Sequence, residues 1–180
     1  LRISIGPAGP VLRTGPPLAL RVALIEIDKV SSVIEEIAAT EVLPRFQALA
    51  DHEVQEKAAG ELVTVVDVTV ENLLTARLTA LLPGSLVVGE EAVHEDPALM
   101  EQLAAEAPVW IIDPIDGTRN FAHGRPLFAI MVALARRGEA EAAWILEPVS
   151  GRFGVAERGS VAWMGGQRRK GAAPGVAARM

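Results

Sequence analysis

The stretch VWIIDPIDGTRNF, residues 109 to 121, decides how the rest of the chain is read. Val109 to Ile112 form a short apolar run of β-formers that ends in Asp113. Pro114 and Ile115 follow, then a second carboxylate, Asp116, and then Gly117 and Thr118. A solvated loop has no need of two acids set three apart at the end of a buried strand, one before proline and one before glycine. A cation site does. Glycine lets the backbone approach a ligand closely, and proline stiffens the link between the acids. Gly117-Thr118 would open a turn or helix with backbone N–H groups to offer a phosphate oxygen.

Two further apolar runs end in acids. LVTVV (62 to 66) precedes Asp67, and SLVVG (85 to 89) precedes Glu90 and Glu91. If the three strands are neighbours, their carboxylates converge. Clustered carboxylates repel and raise one another's pKa, a cost that a divalent cation removes. Each acid also has a plain reading: Asp67 as a helix cap, Glu90-Glu91 as a solvated strand end, Asp116-Gly117 as a turn pair. Of Glu90 and Glu91, one is expected to face a site. Lys57 and His123 read as loop residues exposed to solvent. The order of the acids along the chain, rather than any one of them, carries the functional reading.

Composition narrows the chemistry. The chain has 180 residues and half of them are hydrophobic, enough for a domain with a core. It has no cysteine, so thiolate metal sites and disulfides drop out, and a reducing, cytoplasmic setting agrees with this. Its three histidines, His52, His94 and His123, lie far apart, so oxygen ligands are expected for any metal, with magnesium the natural candidate. No apolar run reaches the roughly 18 residues of a membrane helix, so no membrane partner is expected. The net charge is −6, with six basic groups against Glu157 alone over residues 152 to 180. The rest of the chain is therefore strongly acidic, which suits cations and argues against a nucleic-acid polymer.

Secondary structure reads as follows. Residues 1 to 26 are irregular. A helix runs from about Asp28 to Ala50, with Pro44 as its kink or limit. DHEVQEKAAGE (51 to 61) is a polar loop. A strand over 62 to 66 leads into a helix patterned by Val70, Leu73, Leu74, Leu78, Leu81 and Leu82, closed by Pro83-Gly84. After the strand at 85 to 91, Asp96-Pro97 marks a helix start. Beyond VWIID come three strands, PLFAIMVALA, AAWILEP and FGVAE, in an antiparallel meander. The chain then ends in a solvated or partly disordered basic tail from about residue 165. The fold class is α+β with a layered sheet.

DPIDGTRNF resembles the metal-binding signature of the inositol monophosphatase-like family of Mg-dependent, lithium-sensitive sugar-phosphate phosphatases. VVGEE is similar to that family's Glu motif, LVTVVD to its first acidic motif, and WILEPVSGRFGVAERG to the strand pair that follows. The resemblance covers roughly residues 30 to 170. It implies a layered α/β sandwich of the inositol monophosphatase/fructose bisphosphatase type. It implies that Glu90, Asp113, the Ile115 carbonyl and Asp116 hold Mg2+, with Asp113 bridging two ions. Thr118 would pair with Asp67 and, with Glu90, activate the attacking water. The substrate phosphate would meet Glu90, Ile115, Asp116, Gly117 and Thr118. The reaction implied is direct hydrolysis of a phosphomonoester such as inositol 1-phosphate. Histidinol phosphate, a fructose bisphosphate or 3′-phosphoadenosine 5′-phosphate are alternatives. Family members are often dimers, so a homodimer is expected if the fold is complete.

One departure matters. The family's C-terminal half, with a further metal-ligating Asp in a motif like WDxAAG, has no counterpart before Met180. The chain thus reads as the N-terminal part of a phosphatase. A catalytically inactive metal-binding fragment is the rival reading. A layered fold cut there would also leave apolar sheet surface open.

Overall fold

In helix α1, Ile27–Ile37, apolar side chains recur at Val30, Val33, Ile34 and Ile37, and all four are buried. This single stripe is what docks the helix on a sheet. The structure, a computed structural model, describes residues 26–58, 61–160 and 162–169. The expectations for residues 1 to 25 and for the tail from Lys170 onward lie outside the described residues. The helix widens into a π-type turn over Ala38–Val42 and stops before Pro44. Proline therefore sets its limit rather than a kink: Leu43 before it keeps helical dihedrals, and Pro44 has no N–H with which to continue the hydrogen-bond ladder.

The next segment corrects the sequence reading. Residues 51 to 61 are not a loop: a turn over Asp51–Glu53 leads into β1, Val54–Ala58, which pairs antiparallel with β2, Glu61–Thr64. Polar composition hid a two-stranded ribbon that stands apart from the main sheet. The strand expected over 62 to 66 also ends early. Thr64 stops it by capping helix α2, Val65–Leu81: its Oγ1 accepts from the Val66 amide, and Asp67 returns a bond to the Thr64 amide. This capping box overrides the β-preference of Val65 and Val66. The buried stripe of α2 runs through Val66, Asp67, Val70, Glu71, Leu74 and Leu78, whereas Leu73 and Leu81 are exposed.

Strand β3, Leu86–Gly89, pairs parallel with β4, Val109–Asp116. Their crossover contains the short helix α3, Glu90–Glu95, and a 3₁₀ helix over Pro97–Ala104 capped by Asp96, as expected there. The meander then continues antiparallel through β5 (Ala129–Arg136), β6 (Glu139–Glu147) and β7 (Arg152–Glu157). A further hairpin, β8 (Ala162–Met164) and β9 (Gln167–Arg169), brings the sheet to seven strands in sequential order among the described residues. The basic end therefore contributes strands up to Arg169, later than the sequence reading ended them.

Helices α1 and α2 cover one face of this sheet. Trp110, Ile112, Ile130, Val132, Leu134, Trp144 and Leu146 point into that core, with the rings of Trp110 and Trp144 6.0 Å apart. The alternate residues make the other face. There Ile111, Met131, Ala133, Ile145, Trp163 and Met164 line an open apolar groove, and Trp163 is 48% exposed. This is the open apolar sheet surface expected of the chain.

Candidate functional site

Register brings the first two acids together. Gly89 is the partner of Ile112 in the parallel pair β3–β4, so Glu90 and Asp113 are the next residues out of neighbouring strands. Asp113 closes the regular part of β4. The pairing with β5 then slips between Asp113 and Asp116, which gives Pro114 and Ile115 their own course and re-aims Asp116. Gly117 turns the chain with φ +89°, and a Cβ there would meet the Leu127 carbonyl oxygen at 2.9 Å. Only glycine fits both conditions. Helix α4, Thr118–Ala122, follows at once.

Asp67 reaches the same place from a helix, not from a strand end, which corrects the sequence reading. It is the third residue of α2 and fully buried. The Thr118 hydroxyl lies 3.0 Å from Asp67 Oδ1 and 2.9 Å from the Ile115 carbonyl oxygen, and its single proton serves one of them at a time. The other carboxylate oxygen of Asp67 accepts from the amide and hydroxyl of Thr64. Burial pushes the Asp67 carboxyl above the ordinary range, and these hydrogen bonds oppose it.

Glu90 and Glu91 open α3 rather than end a strand, and both are engaged. The Lys57 ammonium is 2.8 Å from Glu90 Oε1 and 2.8 Å from Glu91 Oε1. Lys57 is thus not a solvated loop residue, because its side chain is only 9% exposed. Burial disfavours its charge, but the two glutamates outweigh this and its pKa is raised. Glu91, expected as the lesser of the pair, is the more buried one.

Glu71 was missed altogether. One turn beyond Asp67 on α2, it accepts from the amides of Glu91 and Ala92 at 2.8 and 2.9 Å, holding the start of α3. Its carboxylate lies where a Cβ on Gly89 would stand, at 2.3 Å from Glu71 Cδ. The available signal was the i, i+4 spacing of Asp67 and Glu71 on a stripe that also carries Val70, Leu74 and Leu78. Lys57 left no such signal, since its partners lie 33 and 34 residues away.

Asp113 is the least comfortable group. Its Oδ1 is buried without a hydrogen-bond partner. Burial first, then the charge and hydrogen bond of Glu90, then Asp116 and Asp67, push its carboxyl up to about 7. A divalent cation would satisfy the oxygen and relieve the repulsion, so the donor chemistry fits the metal that the sequence implies. The arrangement is nevertheless not a ready metal cage. Among the described residues, no three Asp, Glu, His or Cys side chains form a group placed to hold an ion. The cation that Glu90 grips here is Lys57. Among the described residues, no helix is long and apolar enough to cross a membrane.

The comparisons with known proteins agree on one family for this layered α/β domain. The profile of the inositol monophosphatase family matches residues 24–176. The Nus factor SuhB of Pseudomonas aeruginosa is 38% identical over 116 residues, 64% of this chain and 41% of that protein. The histidinol-phosphatase of Chlorobaculum parvum is 40% identical over 104 residues, 58% of this chain and 38% of that protein. The solved Thermotoga maritima IMPase superposes with a TM-score of 0.69 at 25% identity, over 82% of this chain and 54% of that one. The chain belongs to the inositol monophosphatase family. It spans about half or less of the length of these relatives.

Proposed function

We propose that this chain carries the metal-binding part of a magnesium-dependent phosphomonoesterase. One observation supports this most: Asp113 has a buried, unpartnered oxygen beside Glu90 and near Asp116, while Asp67 and Thr118 are hydrogen-bonded to each other at the same place. In this reading Glu90, Asp113, the Ile115 carbonyl and Asp116 hold Mg2+. When bound, the ion would neutralise the phosphate and lower the pKa of a coordinated water. The protein's own part is positioning and charge. Asp67, fixed by Thr64, orients the Thr118 hydroxyl toward the water. Glu90 would be the group that accepts the water's proton. The start of α4, at Gly117 and Thr118, faces the phosphate oxygens.

The substrate class is a small phosphorylated metabolite such as inositol 1-phosphate. Histidinol phosphate joins the candidates because a relative at 40% identity is a histidinol-phosphatase. A second reading keeps the site without turnover. The open apolar sheet face supports it.

Phosphate release by residues 1–180 with Mg2+ tests both. The panel is inositol 1-phosphate, histidinol phosphate, fructose 1,6-bisphosphate and 3′-phosphoadenosine 5′-phosphate, with Asp116→Asn in parallel. Release that requires Mg2+ and disappears in the variant is expected of the enzyme. A folded protein that binds Mg2+ and releases no phosphate establishes the second reading instead.

A further inference from the structure

Gly89 is not glycine for the sake of its backbone. It lies at φ −98° and ψ 151°, a conformation open to any residue and the ordinary one for a helix cap. Yet it stands at the cap position of α3 with no side chain to offer. The space a side chain would fill is taken. The three nearest atoms that a Cβ there would meet all belong to the Glu71 carboxyl, well inside contact distance. Glu71 is buried, and each of its oxygens accepts one amide of α3: Oε2 from Glu91 at 2.8 Å and Oε1 from Ala92 at 2.9 Å. These are the second and third residues of the helix, whose amides a capping side chain normally serves. The cap of α3 is therefore supplied by α2.

A helix can be capped by its own chain, so the borrowing needs a reason. Glu71 stands one turn beyond Asp67 on α2, and Asp67 accepts from the Thr118 hydroxyl. Glu90 is the first residue of α3, directly before the two tethered amides. We infer that Glu71 is a positioning residue: it ties Glu90 to the helix that fixes Asp67, and so sets the place of Glu90 relative to Asp67 and Asp113. This rests on the metal reading above and deepens it. Asp113 has its own anchor, because it continues β4 beyond the pairing of Gly89 with Ile112. Glu90 leaves the sheet after Gly89, so its backbone takes its place from α3, and α3 takes its place from Glu71. A merely structural cap would serve equally well from either position. A positioning cap would not.

The test exchanges the two caps. In the double variant Glu71→Ala/Gly89→Asp the carboxyl returns to nearly the same point, with the net charge unchanged, from the chain of α3 itself. The helix keeps a cap and loses its tie to α2. The full chain, Glu71→Ala and the double variant are compared by thermal unfolding in chelator and by calorimetric Mg2+ titration. Glu71→Ala should lower Tm by on the order of 5 °C. It should also weaken Mg2+ binding roughly 10–100-fold, the range for loss of a group that supports a metal ligand. The double variant should regain most of the Tm and still bind Mg2+ about tenfold or more weaker than the parent. Parent-like Mg2+ affinity in the double variant overturns the inference and leaves the metal reading intact. No heat and no Mg2+-linked Tm shift in the parent removes the metal reading and this inference with it. Should the double variant not fold, or not regain Tm, hydrogen exchange of the parent in chelator decides. The amides of Glu91 and Ala92 should exchange within about tenfold of those of Leu74 and Leu78, because the tie lets them open only with α2. Faster exchange than that shows α3 opening by itself and overturns the proposal.

Discussion

Replacing Asp113 by Asn should stabilise the metal-free protein, although the substitution removes a residue from the centre of the site. Asp113 is a folded-state acid whose carboxyl stands at about 7 against an ordinary 3.8. The native state therefore holds a proton between those values that the unfolded chain has released. Stability contributed in this way is fully present below pH 3.8 and is lost as pH rises through about 7. The bias amounts to about 4 kcal/mol if taken whole. The group is partly open to solvent, so screening reduces this to roughly 1–2 kcal/mol. Asn has the same shape, cannot ionise and can donate a hydrogen bond to Glu90. In a chain of this size, 1–2 kcal/mol moves Tm by about 2–8 °C. The assay is thermal unfolding in EDTA from pH 5 to pH 9. At pH 8.5 the Asn variant should melt higher by that amount, and the gap should close toward pH 5. Asp67, Glu71 and Glu91 are also raised, chiefly by burial, and they slope the parent's curve in the same direction. A variant that melts at or below the parent at pH 8.5, or a gap that does not depend on pH, would refute the assignment of Asp113 as a repelled acid with one unpartnered oxygen.

Other outcomes follow from single contacts. Gly89→Ala drives a Cβ into the Glu71 carboxylate and should cost about 1–3 kcal/mol, read as a lower midpoint in urea. Thr118→Ala should lower Mg2+-dependent phosphate release on the order of a hundredfold or more, with Thr118→Ser retaining most of it, because the hydroxyl is the group that Asp67 orients. Equal rates in the two variants would remove Thr118 from the chemistry. The open sheet face should bind an anilinonaphthalene sulfonate dye in the native state, and Ile111→Lys, which places a charge in that groove, should reduce the fluorescence without altering far-UV dichroism.

Much of the fold was legible because its signals are local and repeat. The stripe Val30, Val33, Ile34, Ile37 on α1 and the alternation through β5 and β6 give the core face directly. The misreadings occur where a single capping interaction or a distant partner decides. Thr64 and Asp67 form a capping box that ends a strand two residues before its β-formers run out. The polar segment at 51 to 61 pairs as a hairpin, and its Lys57 has partners on α3 that no window of local sequence contains.

The site follows the same division. Acids at the ends of apolar runs are visible because a strand end is a place where a chain must turn, and a charge there is conspicuous. That reading singled out Glu90, Asp113 and Asp116, which the structure brings near one another, and it took Asp67 for a strand-end acid although it belongs to α2. It could not find Glu71, which sits inside a helix whose leucines lie on two different stripes. The discriminating fact is which stripe of α2 faces the sheet. Two stripes are apolar enough, one through Leu73 and Leu81 and one through Val70, Leu74 and Leu78. The second wins although it carries two carboxylates, because Asp67 closes the Thr64 cap and Glu71 caps α3. Burying these acids is tolerable only because backbone N–H groups and hydroxyls meet them. Asp113 lacks such a partner for Oδ1, and Glu90 has Lys57 in place of an amide. Asp67 and Glu71, supplied with backbone and hydroxyl donors, are the fixed frame of the site, whereas Glu90 and Glu91 rest on one ammonium and Asp113 Oδ1 on no protein donor.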